Sequence, residues 1–392
     1  MDPGVQSAIT EGYNALGKVP ISALLRHRRY RKGSSGLISV PDDTTLGEVM
    51  SLLRTEGILA VPVYKEVEGD TFGKEYTGIV SIYDVLAFTV FQKIFDQMDP
   101  GSSEFVGDDE DKLKDFIDSI VEGQQVYFNT PVRDLVGMSR ESQESWTLNS
   151  SSPISSLLQM LTTAAYHRVL VIDEDALAAS AMGDDDGPGP TAPPTGSSIT
   201  MVTQTDLLYF LMEHTDIAPK LMATILNLPA QTVDELAARR ATEGDANQVS
   251  GNRKHTSRVV TVPDSVTALE AFRVMYTHGV TAVPVIDKDG GLAANLSASD
   301  LRGISTTNLE CLLDNVYTFL EVDTRRRADQ VKADQLKFVE PEASLQQVVN
   351  LMLGSHVHRV WIAGEGDKPI GVVTLSDVLS TLVPDGMMAV EQ

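Results

Sequence analysis

Two recurring sets of residues in this chain are suited to chemistry. In the first, a hydroxyl precedes an aspartate by three positions: Ser81 and Asp84, Thr203 and Asp206, Ser297 and Asp300, Thr374 and Asp377. Another hydroxyl stands directly before each aspartate, at Tyr83, Thr205, Ser299 and Ser376. A carboxylate at a strand end can accept both hydrogen bonds of a ribose diol. The second set is the dipeptide His-Arg, at His167 and Arg168 and again at His358 and Arg359, each opening an apolar β-type run. Arginine offers a fork of donors to phosphate oxygens, and histidine adds a ring N–H. The two sets together offer acceptors for a diol and donors for a phosphate. Each set also has a bland reading. The aspartates suit helix starts, and a strand-mouth arginine can lie along apolar surface with its head in water. Recurrence inside one larger pattern favours the ligand reading over both.

That larger pattern is a repeat. The windows "VPDDTTLGEVMSLLRTEGILAVPV", "LNSSSPISSLLQMLTTAAYHRVLV", "VPDSVTALEAFRVMYTHGVTAVPV" and "VEPEASLQQVVNLMLGSHVHRVWI" align without a gap. Each carries apolar residues at helical spacing, such as Leu46, Val49, Met50 and Leu53, preceded by helix-start residues. Each helix leads into a β-rich run, and a second strand follows, ending at the aspartate ("TGIVSIYD", "SITMVTQTD", "AANLSASD", "IGVVTLSD"). A further helical pattern comes next. The unit is strand-helix-strand-strand-helix, so the fold class is α/β. Hydroxyls at alternate strand positions share a face, which points them into one cleft.

Repeat 1 is expected over 19–98 and repeat 2 over 126–215, with a disordered Gly/Pro/Asp insert at 176–198. A linker is expected over 239–258, then repeat 3 over 259–320 and repeat 4 over 331–385. Repeats 1 and 3 share Ala-Val-Pro-Val (Ala60 to Val63, Ala282 to Val285), whereas 2 and 4 share His-Arg. This alternation predicts two tandem modules, 1 with 2 and 3 with 4, facing each other in a disc-like arrangement.

Composition narrows the partners. The 392 residues carry a formal net charge of −24, which disfavours nucleic acid and anionic membranes. Any bound anion therefore needs a local cluster of cations. The single cysteine, Cys311, allows no intrachain disulfide and fits a reducing compartment; within "NLECLLDNV" it reads as packed. No secretory signal and no apolar run long enough for a bilayer is visible, so an intracellular protein of cytoplasm or nucleus is expected. No P-loop, zinc-ligand spacing or G-x-S-x-G occurs, so neither a metal site nor catalysis is expected. The run Arg325, Arg326, Arg327 reads as a solvated face.

With these motifs in view, the chain resembles proteins with four cystathionine-β-synthase (CBS) motifs. Within that superfamily it is similar to gamma subunits of AMP-activated and sucrose-non-fermenting-type kinases, and closer still to plant gamma-like CBS proteins. The segments "SASDLRGISTTNLECLL", "HVHRVWI" and "ISALLRHRRYRKGSSGLISV" carry that likeness. The resemblance implies a non-catalytic sensor of AMP, ADP or ATP, partnered by kinase alpha and beta subunits. It implies one cleft from Thr281, Ala282 and Asp300 with His358, Arg359 and Arg168. A second uses Thr374, Ser376 and Asp377 with His167, and a third uses Ser81 and Asp84. Two departures bear on the clefts: Leu59 stands where animal-type members have arginine, and Tyr83 replaces a smaller hydroxyl residue. Conversely, Asp206 is present where the animal type lacks an aspartate. The alternatives are a stand-alone scaffold with degenerate clefts and a sensor of another adenosyl ligand such as S-adenosylmethionine. The His-Arg pairs favour phosphate over that cation.

Overall fold

The computed structural model describes residues 3–32, 36–67, 74–92, 122–142, 147–162, 166–173, 199–245, 259–320, 336–385 and 387. The expected insert at 176–198 and Arg325 to Arg327 lie outside them. Four three-stranded sheets are present among the described residues, each in sequence order. They are β1 (Val40–Pro41), β2 (Ala60–Glu66) and β3 (Lys74–Ser81); β4 (Thr147–Asn149), β5 (Arg168–Ile172) and β6 (Ile199–Thr203); β7 (Val262–Pro263), β8 (Ala282–Ile286) and β9 (Leu292–Ser297); and β10 (Phe338–Val339), β11 (Arg359–Ala363) and β12 (Pro369–Thr374).

The gapless alignment of the windows reappears as strand register. The parallel pairs are Val40 with Val63, Leu148 with Val171, Val262 with Val285 and Val339 with Ile362, the same offset each time. A helix crosses between the paired strands, as a parallel connection requires. These first helices are Leu46–Thr55, Ile154–Thr162, Ala268–His278 and Leu345–Ser355. Three begin with a reciprocal capping box: Thr45 with Glu48, Thr267 with Glu270 and Ser344 with Gln347. Their apolar stripes are buried; Leu46, Val49, Met50 and Leu53 are at most 2% exposed.

The second helices are Ile82–Val90, Gln204–Glu213, a 3-10 segment Ala298–Gly303, and Leu375–Ser380. The helical pattern expected after Asp300 is thus only a 3-10 turn. It stops at Gly303, whose carbonyl accepts from the Asn308 side chain, and the backbone turns extended at Ile304.

The chain segments leading into each repeat pack on its neighbour instead. Isolated bridges join Pro20 to Pro153, Pro131 to Thr45, Pro229 to Ser344 and Asn315 to Thr267. The lead into repeat 1 therefore docks at repeat 2, and the lead into repeat 2 at repeat 1; repeats 3 and 4 exchange in the same way. This reciprocal exchange is what ties each sequential pair into a module. It also corrects two boundaries. Residues 126–142 belong by packing to repeat 1, where Tyr127, Phe128, Val132 and Leu135 enter its core. The expected linker 239–258 is helical up to Asp245, within Ala230–Asp245. There Arg240 binds the Ser380 and Val383 carbonyls and Asp385 at the end of repeat 4.

The apolar cores run across the modules. One continuous core joins repeats 1 and 3, and the other joins repeats 2 and 4 with the N-terminal helices Pro3–Leu16 and Ile21–Lys32. Repeats meet through helices in one direction and through exchanged leads in the other, so the four close into a ring. No described helix is long and apolar enough to cross a membrane.

Gly12 lies where Pro3–Leu16 crosses Pro219–Ile225; a Cβ there would sit 2.5 Å from Leu221 Cβ and Cδ2. An exposed helical glycine changed to alanine gains about 1 kcal/mol. Gly12→Ala should instead lose roughly 1–3 kcal/mol, because overpacking outweighs propensity. Urea unfolding of the full chain measures the sign.

Candidate functional site

One local arrangement is built four times at the strand mouths. In the antiparallel pairs, Ala60 faces Ser81, Arg168 faces Thr203, Ala282 faces Ser297 and Arg359 faces Thr374. One residue earlier, the carbonyls of Leu59, His167, Thr281 and His358 accept from the first amide of the second helix. The second residue of each dipeptide, alanine or arginine, is thereby held beside a hydroxyl at a helix start.

The hydroxyl and the aspartate form a reciprocal capping box in every repeat. The Ser81, Thr203, Ser297 and Thr374 amides and hydroxyls all donate to Oδ2 of their aspartate. Capping and ligand binding are therefore compatible only through the remaining oxygen, and that oxygen differs between copies.

In repeat 1 it is taken. Asp84 Oδ1 accepts from Ser139 N–H at 2.8 Å and from the Ser142 hydroxyl, and the residue is 0% exposed. The third expected cleft, built on Ser81 and Asp84, is therefore corrected: Asp84 has no oxygen left for a diol. In repeat 2 the Arg28 Nε lies 3.5 Å from Asp206 Oδ2. In repeat 3 Asp300 is buried, and the Ser297 and Ser299 hydroxyls bond each other above it. In repeat 4 Asp377 Oδ1 has no hydrogen-bond partner among the described residues. Burial pushes this carboxyl up to about 6, against the hydrogen bonds from Thr374.

The cations converge from several repeats. Arg359 of repeat 4 donates to Thr281 Oγ1 of repeat 3 at 2.8 Å. Burial pushes its guanidinium down, while Tyr83, Asp300 and Asp377 nearby pull it back. His358 is exposed in area yet closely surrounded. Burial first, then Arg359, Arg168, His167 and Arg302, pushes it down to about 4, so the ring is neutral near pH 7. Tyr83 of repeat 1 reaches the same place: its ring lies 5.6 Å from that of His167.

Arg168 is only 7% exposed, and its Nε lies 3.1 Å from Glu141 Oε1. The His167 amide donates to the same oxygen at 3.3 Å. Burial raises the Glu141 carboxyl, but Arg168 and His167 outweigh it and hold it at about 2. Arg168, read from the sequence as a phosphate ligand, thus already holds a carboxylate.

Of the remaining expected residues, Ser376 accepts from Gln204 at 2.8 Å, linking repeats 2 and 4. Thr205 is half-buried on the adjoining helix start and Ala282 is buried in its strand. Four residues at this centre escaped the sequence reading: Arg28, Glu141, Gln204 and Arg302. Arg302 follows Asp300 by two positions, where the other repeats carry leucine (Leu86, Leu208, Leu379). That break in the pattern was its available signal. Its Nε donates to Ser299 O, and its guanidinium approaches Ile58 O, beside Leu59, where the animal-type arginine is missing. Glu141 lies outside every repeat motif and had none. Cys311 is buried in the core of repeats 1 and 3, and no group of three metal-ligating side chains occurs among the described residues.

Parts of this chain match known proteins. Residues 34–90, 254–305 and 328–384 match the CBS domain family. A plant protein from Arabidopsis thaliana, "SNF1-related protein kinase regulatory subunit gamma-like PV42b", is 23% identical over 382 residues, covering 88% of this chain and 91% of its own. Protein SDS23 of Kluyveromyces lactis is 30% identical over 142 residues, 32% of this chain and 27% of its own. A crystal structure from Methanocaldococcus jannaschii, described as an archaeal homologue of g-AMPK, superposes with a TM-score of 0.51 at 15% identity, covering 88% and 96% of the two chains. Three segments of the chain thus match the CBS domain, and over most of its length the chain is similar to the plant gamma-like proteins.

The two shifted groups at this centre make opposite pH contributions. His358 binds fewer protons folded than unfolded between about 4 and 6.5, so its contribution to stability rises with pH there and is lost as pH falls. Asp377 binds more protons folded than unfolded between 3.8 and about 6, so its contribution falls as pH rises. Relative to wild type, His358→Gln should make stability decline more with pH, and Asp377→Asn should make it climb more. Urea midpoints of wild type and both variants between pH 5 and about 6.5 measure these slopes, and changes of slope in the same direction for the two variants would overturn the assignment.

Proposed function

We propose that this CBS-domain chain is a non-catalytic regulatory protein that binds adenine nucleotides, AMP, ADP or ATP, in clefts between its repeats. The single observation that carries the reading is the convergence of Arg168, Arg302 and Arg359 on His358 in a chain of net charge −24. Cations gathered against that background, Arg168 buried and Arg302 and Arg359 half-buried, suit an anion. The first cleft uses Thr281, Ala282 and Asp300 with His358 and Arg359. The second uses Thr374, Ser376 and Asp377 with His167, and its Asp377 oxygen is available to a ribose diol. The phosphate end of either ligand meets the central arginines. Thr203, Thr205, Asp206, Ser297 and Ser299 line the remaining strand mouths.

The biological setting we propose is a gamma-type subunit of a serine/threonine kinase complex with alpha and beta partners, an energy sensor inside the cell. The names and length match of the plant relatives support that setting. Regulation then follows from linkage: a nucleotide that binds one arrangement of the two modules more tightly shifts the population toward it and so alters partner contact. A second reading, a scaffold with degenerate clefts, draws support from Asp84, whose oxygens are all engaged. S-adenosylmethionine is disfavoured because its sulfonium would face arginines.

Arg359→Gln removes the cation and its fork while keeping a polar chain. AMP binding should weaken by about 1.5–3 kcal/mol, the usual worth of hydrogen bonds to a charged group, and adenosine binding should change little. Asp377→Asn should weaken both ligands alike, since both carry the ribose. Calorimetric titration of the full chain with AMP and adenosine, with circular dichroism as a folding control, separates the cases. Equal losses for both ligands with Arg359→Gln would remove the phosphate role, and no binding of millimolar AMP to wild type would leave the scaffold reading.

A further inference from the structure

Glu141 is a carboxylate 3% exposed, on the 3-10 turn Arg140–Ser142, outside all four repeat motifs. Its flanking residues, Ser139 and Ser142, hold Asp84 of repeat 1, while Glu141 itself reaches Arg168 of repeat 2. The pairing is incomplete. Arg168 Nε and Nη1 and Glu141 Oε2 are buried and have no hydrogen-bond partner among the described residues, and His167 Nδ1 only approaches Glu141 Oε1, at 3.5 Å. A buried bridge whose only role is structural gains most by closing the fork, two parallel N–H···O bonds with every lone pair met. Here one carboxylate oxygen lies 3.1 Å from Arg168 Nε without forming a hydrogen bond, and Nη1 beside it is unmet among the described residues. A guanidinium accepts carboxylate and phosphate oxygens by the same geometry, and a phosphate brings more of them. Arg168 also stands opposite Thr203 at the strand mouth of repeat 2, beside His167.

We propose that Glu141 is an internal anion seated in the phosphate position of Arg168, which a ligand phosphate must displace, so that Glu141 sets the affinity and the phosphate-number preference of the centre. The proposal deepens the nucleotide reading and rests on it for the identity of the ligand. While Glu141 is seated, it neutralises Arg168 and repels further negative charge. A second phosphate group meets more of that repulsion than the first, so the residue discriminates against highly charged ligands. Adenosine does not compete for Arg168 and should be indifferent to Glu141. Displacement frees the turn whose serines clamp Asp84, so occupancy of the centre is communicated to repeat 1.

The test is calorimetric titration of the full chain, wild type and Glu141→Gln, with AMP, ATP, adenosine and pyrophosphate. The neutral amide should raise AMP affinity about tenfold, raise ATP affinity more, and leave adenosine unchanged. Unchanged or weaker AMP binding by a folded Glu141→Gln protein overturns the proposal and leaves Glu141 as a residue that positions Arg168. If circular dichroism shows that the glutamine variant does not fold, Glu141→Asp takes its place. It keeps the charge but withdraws it by one methylene, and should give the same order of gains at smaller size; no gain overturns the proposal. Tighter pyrophosphate binding by the variant, with nucleotides bound no better than pyrophosphate, supports the exchange and sinks the adenine reading. Nucleotide binding by wild type without any gain in the variants sinks the exchange alone. No binding of any ligand to any protein overturns both.

Discussion

A carboxylate has two oxygens, and in every repeat one of them closes a helix start. Each capping aspartate accepts from the amide and hydroxyl of a serine or threonine three positions earlier, meeting donors the helix cannot meet itself. The same contact fixes the strand end, because that hydroxyl residue is paired across the sheet with the second residue of the dipeptide. Everything at the strand mouth follows from this constraint. Chemistry is left to the second oxygen, and what surrounds it decides whether a repeat can hold a diol. Four copies of one motif therefore do not make four equal sites: Asp84 is engaged from both sides, whereas Asp377 keeps an oxygen without a partner among the described residues.

The ring geometry supplies those surroundings. A single repeat has too little apolar surface to bury its helices alone. Exchange of leads locks sequential repeats together, and shared apolar cores bind repeat 1 to repeat 3 and repeat 2 to repeat 4. Both directions of contact are needed to bring Arg302, Arg359, His167 and Arg168 around one histidine. The lead into repeat 2 has two roles in this arrangement. Its aromatic residues Tyr127 and Phe128 build the core of repeat 1, and its last turn carries Glu141 to the cations of repeat 2.

Electrostatics connects the two levels. Buried guanidiniums are costly without partners, and the structure meets part of that cost with its own groups: Glu141 at Arg168, Tyr83 and Thr281 at Arg359, a backbone carbonyl at Arg302. A centre so arranged meets part of its own desolvation cost and still keeps unmet donors on Arg168 among the described residues.

The strand-helix-strand-strand-helix unit and its gapless repetition were legible in the sequence. Those features depend on apolar periodicity and on residues close together along the chain, and the gapless windows carried them directly into the observed register. The sequence also picked out the hydroxyl–aspartate and His-Arg sets, because repetition makes a short motif visible. Only the tertiary structure decided which aspartate keeps an oxygen, that Arg168 faces Glu141, and that Arg302 stands beside Leu59. These outcomes join side chains far apart in sequence, whose meeting depends on exchanged leads and shared cores, and no local pattern encodes such a meeting.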